Sequence, residues 1–232
     1  MSSLVMSMDI ALPEHQRSSG FGKRKPCARV LLKCDASETL REFSVPVRVA
    51  RLLEKEEFSY PMDLTYCVEC INRLSEQVCM TILTEMLSRR DHSVREAREK
   101  LMLYGFSNKI IDSVVSRALS HRFLDDQRFA TYFIESGKRK GWGKRKIELE
   151  LKRKGVALED LVGYPEEFFD SDESLARARA LLQKKRIPDS RAYEKLVRHL
   201  MSKGFEYSIA SRAVKDHLDC SSLEDDSPVP VF

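Results

Sequence analysis

The chain has 232 residues, 42% apolar and 33% charged, enough for one large or two modest domains with a core. Its formal net charge is only +4, so the distribution of charge, not its total, has to indicate a partner. No apolar run approaches the roughly 18 residues a membrane span needs, and the N-terminus, with Met6, Asp9 and Glu14, is unlike an export signal; a cytoplasmic protein with reduced cysteines is expected.

In chain order, residues 1–26 lack periodicity and hold Ser18-Ser19-Gly20 and Lys23-Arg24-Lys25, which predicts a flexible tail. Residues 27–76 read as a small leader. Val30, Leu32 and Cys34 alternate with Arg29, Leu31 and Lys33. Phe43, Val45, Val47 and Val49 alternate with Ser44, Pro46 and Arg48, and the two runs together predict a β-hairpin with Pro46 on an edge strand. After Tyr60-Pro61, Asp63 is placed to cap a helix that carries Leu64, Val68, Ile71 and Leu74 on one face.

The remainder repeats. A leucine four residues before a Gly-apolar pair recurs as Leu101/Gly105-Phe106, Leu151/Gly155-Val156 and Leu200/Gly204-Phe205, with glycines 50 and then 49 positions apart. Such a period belongs to stacked helical units, none of which can bury its apolar face alone. In the first unit, residues 77–124, Val78, Ile82, Leu83 and Met86 mark one helix. Ser93 and Glu96 form a capping box for the next, and Gly105 supplies its left-handed stop. Ser107 then opens a third helix through Ile110, Val114 and Leu119. The second unit, 125–170, follows with Phe129, Phe133, Ile147 and Leu151, and the third, 171–218, with Ala178, Leu182, Leu196, Leu200 and Ile209. Residues 219–232 hold four acids and no base, an acidic flexible tail. Pro165 and the acidic Asp170–Glu173 stretch are expected to let the join between the second and third units bend. The expected fold is mainly α: three tandem three-helix repeats in an elongated curved array behind a small N-terminal β-hairpin/helix region.

Little in this sequence is arranged for catalysis. Asp125-Asp126 has no nearby His or Cys, and its simpler role is to open a helix, Asp125 as cap and both charges at the positive end. Cys67 and Cys70 have knuckle spacing, but Cys27 and Cys34 are too far apart for a usual second pair, so no metal site is expected. The five histidines are scattered singly. No cofactor is implied. The clearest signal is charge: residues 138–154 hold nine Lys or Arg against Glu148 and Glu150, beside the single tryptophan, Trp142, in a Gly-Trp-Gly turn.

These residues carry a family likeness. Leu124-Asp125-Asp126 followed by Phe129-Ala130, then Ile147, Glu150, Leu151 and Gly155-Val156, resembles the central signature of the RecX family, regulators of the RecA recombinase. Arg90, Ser93, Glu96, Lys100, Leu101 and Gly105-Phe106 are similar to the family's preceding segment, and the resemblance spans about residues 78–218. Two family positions differ: Arg122 stands where a glycine is common and Lys144 where a proline often follows the Gly-x-Gly turn. The resemblance implies a monomeric, non-enzymatic protein that lies in the groove of the RecA filament on single-stranded DNA and depresses its ATPase, strand-exchange and coprotease activities. It transfers no catalytic residue. The expected contacts are Arg89, Arg90, Lys138, Arg139, Lys140, Trp142, Lys144, Arg145, Lys152 and Arg153. The alternative reading is a helical-repeat protein that puts the same basic face on DNA directly.

Overall fold

Burial alternates along the first strands because one sheet face meets helices and the other meets water. In the computed structural model, which describes residues 3–14, 24–35 and 40–225, the chain falls into two units that divide between Asp125 and Asp126. The first unit opens with an antiparallel sheet of β1 (Leu4–Ala11), β2 (Cys27–Cys34), β3 (Leu40–Pro46) and β4 (Met62–Asp63), in the order β3-β2-β1-β4. Val5, Ala28, Val30, Leu32 and Val45 point into the core. On the other face Arg29 pairs with Glu42 and Lys33 with Asp9, exposed ion pairs across neighbouring strands.

Three expectations change here. The tail expected over residues 1–26 contains β1, which pairs with both β2 and β4; its residues 1–2 and 15–23 lie outside the described ones. The alternation expected through Val49 stops at Pro46. Val47–Leu53 is a helix, α1, because Val49, Ala50 and Leu53 recur at helical spacing and are all buried. The boundary drawn at residues 76/77 falls inside one continuous helix, α2 (Leu64–Leu87), whose buried side runs from Cys67 to Leu83. Asp63 caps it as expected. The carboxylate accepts from the backbone N–H of Thr65 and Tyr66, which holds its pKa below the ordinary value.

α3 (Val94–Leu103) and α4 (Asn108–Ser120) complete this unit. Ser93 caps α3, accepting from Glu96 N–H at 3.1 Å. In α4 the inward residues are Ile110, Ile111, Val114, Val115 and Ala118, while Leu119 turns outward. The core also holds thiols. Burial first, then neighbouring Cys70 and Cys34, push the Cys67 thiol up to about 11 from an ordinary 9.0; burial first, with Glu76, pushes Cys79 up to about 12.

The second unit holds α5 (Asp126–Arg139), α6 (Lys144–Arg153), α7 (Ser171–Gln183), α8 (Ala192–Ser202) and α9 (Tyr207–Asp225). Between α6 and α7 the third element of the second repeat is a single 3-10 turn, Leu158–Asp160, since Gly163 and Pro165 follow too soon for a full helix. Tyr164, Phe168 and Phe169 close over that place, packed on the core of Phe129, Ile134, Ile147 and Leu151. The acidic tail expected from residue 219 starts inside α9, which runs to Asp225; residues 226–232 lie outside the described ones.

The repeat is visible in one recurring cap. Gly105, Gly155 and Gly204 all have positive φ, of 91°, 75° and 92°. In each case the next residue donates its N–H back to the repeated leucine, Phe106 to Leu101, Val156 to Leu151 and Phe205 to Leu200. All three leucines are fully buried.

The join between the second and third repeats is tight rather than bent loose. Gly143 N–H donates to the Lys203 carbonyl at 2.8 Å and Arg145 N–H to the Gly204 carbonyl at 3.1 Å, so the start of α6 abuts the end of α8. A Cβ on Gly143 would collide with the backbone of Gly204 and Phe205. Lys138 pairs with Glu173 at 3.2 Å, and Arg177 donates to the Trp142 carbonyl at 3.0 Å.

Gly143→Ala is expected to destabilise the second unit by about 2 kcal/mol or more through overpacking against backbone, whereas Gly155→Ala costs about 1 kcal/mol of left-handed strain. Urea unfolding followed by the emission of Trp142 checks both. The thiols give a pH effect on the first unit. Their folded pKa values are raised, so stability is unaffected below pH 9.0, where both states keep the proton, and falls as pH rises from there through about 11 and 12. Cys67→Ala/Cys79→Ala should flatten that decline, measured by urea midpoints across the alkaline range.

Candidate functional site

The cationic stretch of the sequence folds into α5, the Gly-Trp-Gly turn and α6, and the fold sorts its charges into two kinds. Lys138 faces inward. Its side chain is only 10% exposed and lies between Glu135 at 3.1 Å and Glu173 at 3.2 Å, so it ties α5 to α7. Lys144 lies over the Phe169 ring. Lys140 and Lys146 cover Trp142, their ammonium groups 5.4 and 4.7 Å from the ring centre. Trp142 itself is half-buried against Phe133, with centroids 6.2 Å apart. The ring is therefore already occupied and is not an open stacking platform.

The second kind points outward. Arg139, Arg145 and Lys152 are exposed, and Arg153 is exposed while paired with Glu150 at 2.8 Å. Arg145, Leu149, Lys152 and Arg153 fall on one side of α6 at spacings of three and four. Leu149 is 50% exposed at the centre of these cations. A helical wheel on the sequence already places Arg145, Lys146, Lys152 and Arg153 on the outer side around Leu149; the structure differs in folding Lys146 over Trp142.

Arg145 also opens a helix whose first turn has Lys144, Arg145 and Lys146 and no acid, a charge placement opposed by the helix dipole. The end of α8 offsets that. Its carbonyls bring the negative end of one helix to the positive start of the other.

Other groups hold this platform in place. Burial, followed by the Glu148 carboxylate 2.5 Å away, pushes the Tyr164 hydroxyl far above its ordinary pKa, so it remains a hydrogen-bond donor to Glu148. Burial lowers the pKa of Arg177, opposed by Glu173 and Glu135, and its guanidinium lies over Phe205 as well as on the Trp142 carbonyl. Sequence reasoning missed Glu173 and Arg177, since both act across 35 positions.

Arg89 and Arg90 belong to the first unit, just after α2. Arg89 is exposed; Arg90 pairs with Glu96 at 3.1 Å, and Glu96 also meets the buried His92 at 3.3 Å. The signature residues Leu124, Phe129, Ala130, Ile147 and Leu151 are buried, Asp126 begins α5 with Asp125 just ahead of it, and Glu150 pairs outward. Leu124 joins the core of the first unit and Phe129 that of the second. Among the described residues no group of three His, Cys, Asp or Glu lies together as a metal site, and no helix is long and apolar enough to cross a membrane. Cys67 and Cys70 face the core.

Two family models match the chain: RecX, second three-helix domain, over residues 125–161, and RecX, third three-helix domain, over residues 171–214. The chain is 32% identical over 142 residues to the regulatory protein RecX of Vibrio vulnificus, covering 60% of this chain and 92% of that one. It is 35% identical over 137 residues to the regulatory protein RecX of Vibrio campbellii, covering 56% and 85%. Its fold is similar to a crystal structure of regulatory protein RecX, with a TM-score of 0.57 at 16% identity, covering 93% of this chain and 100% of the other. The crystal structure of RecX from Lactobacillus salivarius gives 0.54 at 15% identity, covering 61% and 95%. Nearly the whole of a relative is thus matched above 30% identity, with the helical models falling on the second and third repeats, and the chain belongs to the RecX family of regulatory proteins.

Proposed function

We propose that the chain is a non-enzymatic, monomeric regulator of the cytoplasm that docks on the RecA recombinase assembled on single-stranded DNA and restrains its ATPase, strand-exchange and coprotease activities. The observation that carries this reading is the outward face of α6, where Arg145, Lys152 and Arg153 surround the exposed Leu149. A central apolar residue ringed by charge suits a protein surface with acidic groups around an apolar notch. The names of the relatives, regulatory protein RecX, support a partner of the recombinase class. Several repeats on one chain also let contacts of modest strength add into avidity along a polymeric partner.

Direct action on DNA is the less favoured reading. Trp142, the residue best suited to stacking on a base, is packed against Phe133 and covered by two lysines.

Arg139→Glu/Arg145→Glu/Lys152→Glu should weaken inhibition of the single-stranded-DNA-dependent ATPase of RecA by about tenfold or more, with an unchanged thermal midpoint. Undiminished inhibition would remove this face from the interface. Lys138→Met should do the opposite. It costs the second unit about 1 kcal/mol in urea and leaves inhibition intact, because that lysine points inward between two glutamates.

A further inference from the structure

We propose that the leader of the first unit carries a docking site of its own, a basic-rimmed apolar groove between α1 and α2 that takes an acidic amphipathic segment of a partner protein. Two shallow cavities of about 260 and 360 Å3 lie along these helices, and Arg48 lines both. Their floor is apolar, from Leu52 and Val78 in one and Val47 and Ile82 in the other. The rim is basic. Arg48, Arg51 and Lys55 succeed one another at helical spacing over about 10 Å, and Lys25 stands at the far end.

The single carboxylate in the lining, Glu85, is held by Arg48 through two hydrogen bonds of 3.2 and 2.9 Å. The wall opposite Arg51 and Lys55 is Gln77 and Thr81, which bring no charge. Arg51 and Lys55 are therefore cations beside an apolar trough with no anion across it.

Charge complementarity selects an acidic occupant, and the floor selects what kind. A free phosphate would leave Val47, Leu52, Val78 and Ile82 uncovered. Nucleic acid would need open rings for its bases, and the one aromatic in the lining, Tyr104, lies beneath the Lys25 ammonium at 3.6 Å. An amphipathic segment with apolar anchors one helical turn apart and carboxylates beside them satisfies both rim and floor. The groove belongs to the first unit, built from the leader, α2 and Tyr104 at the end of α3. It is distinct from the outward face of α6, so its use does not depend on the reading given for that face.

The test uses the full chain and a short fluorescein-labelled peptide of glutamates with leucines at every third or fourth position, its binding read by fluorescence anisotropy. Binding should weaken about tenfold in Arg51→Glu/Lys55→Glu, which reverses the rim, and be lost in Thr81→Trp, which fills the trough without changing charge. Thermal midpoints of both variants should match the parent. Amide exchange on peptide addition should slow over residues 47–55 and 77–85. No binding by the peptide, or binding untouched by either variant, overturns the proposal. So does equal binding of an oligothymidylate sensitive to the same rim reversal, which would make the groove a nucleic-acid track. Self-association that disappears in both variants would assign it to a second copy instead, and also overturns the proposal.

Discussion

The second unit depends on a single close approach, the start of α6 set against the end of α8. Two carbonyls that would otherwise be left over at the end of α8 accept the N–H groups of Gly143 and Arg145. Each helix end satisfies the other, and their dipoles meet with opposite sign. No side chain larger than hydrogen fits at Gly143, because the backbone of Gly204 and Phe205 fills the space. Around this contact, Lys138 bridges to Glu173 and Arg177 reaches the Trp142 carbonyl, so the second and third repeats form one packed body.

That arrangement explains how the sequence sustains its least favourable local feature. Three cations in the first turn of α6 are a destabilising choice for an isolated helix. With the negative end of α8 beside them the penalty is offset, and Arg145 can remain exposed on a fixed frame. Structure-forming charges and outward charges are thus interleaved in one short stretch: Lys138 and Lys144 are taken up by neighbours, while Arg139, Arg145 and Lys152 are turned to solvent.

What could be read from the residues alone were the local signals. Ser93 with Glu96, Asp63 ahead of α2 and the three Leu/Gly-apolar pairs each announce a helix end through short-range chemistry, and each is found there. What escaped depends on distant partners. β1 has little alternation of its own, and only Val5 of its residues is fully buried; its strand character comes from pairing with β2 and β4. The Val47-Arg48-Val49 run looks like strand and folds as helix because Val49, Ala50 and Leu53 share one buried side. Gly141 and Gly143 read as slack in a turn. Nothing local reveals that Gly143 faces Gly204 across some sixty positions, so Pro165 and the acidic Asp170–Glu173 stretch alone suggested a bend at a joint that is packed. At the candidate face, helical spacing alone turns Arg145, Lys152 and Arg153 outward. It does not give the inward turn of Lys138 or the folding of Lys146 onto Trp142, which depend on distant partners or packing.

One further consequence follows from α2. As a single helix from Leu64 to Leu87, it packs against the sheet and α1 and also against α3 and α4. Leader and first repeat therefore share a spine, and in this chain the packing of each rests on the same helix. A chain shortened at the repeat boundary would begin midway along a helix, with Val78, Ile82 and Leu83 kept but the turns that nucleate them gone.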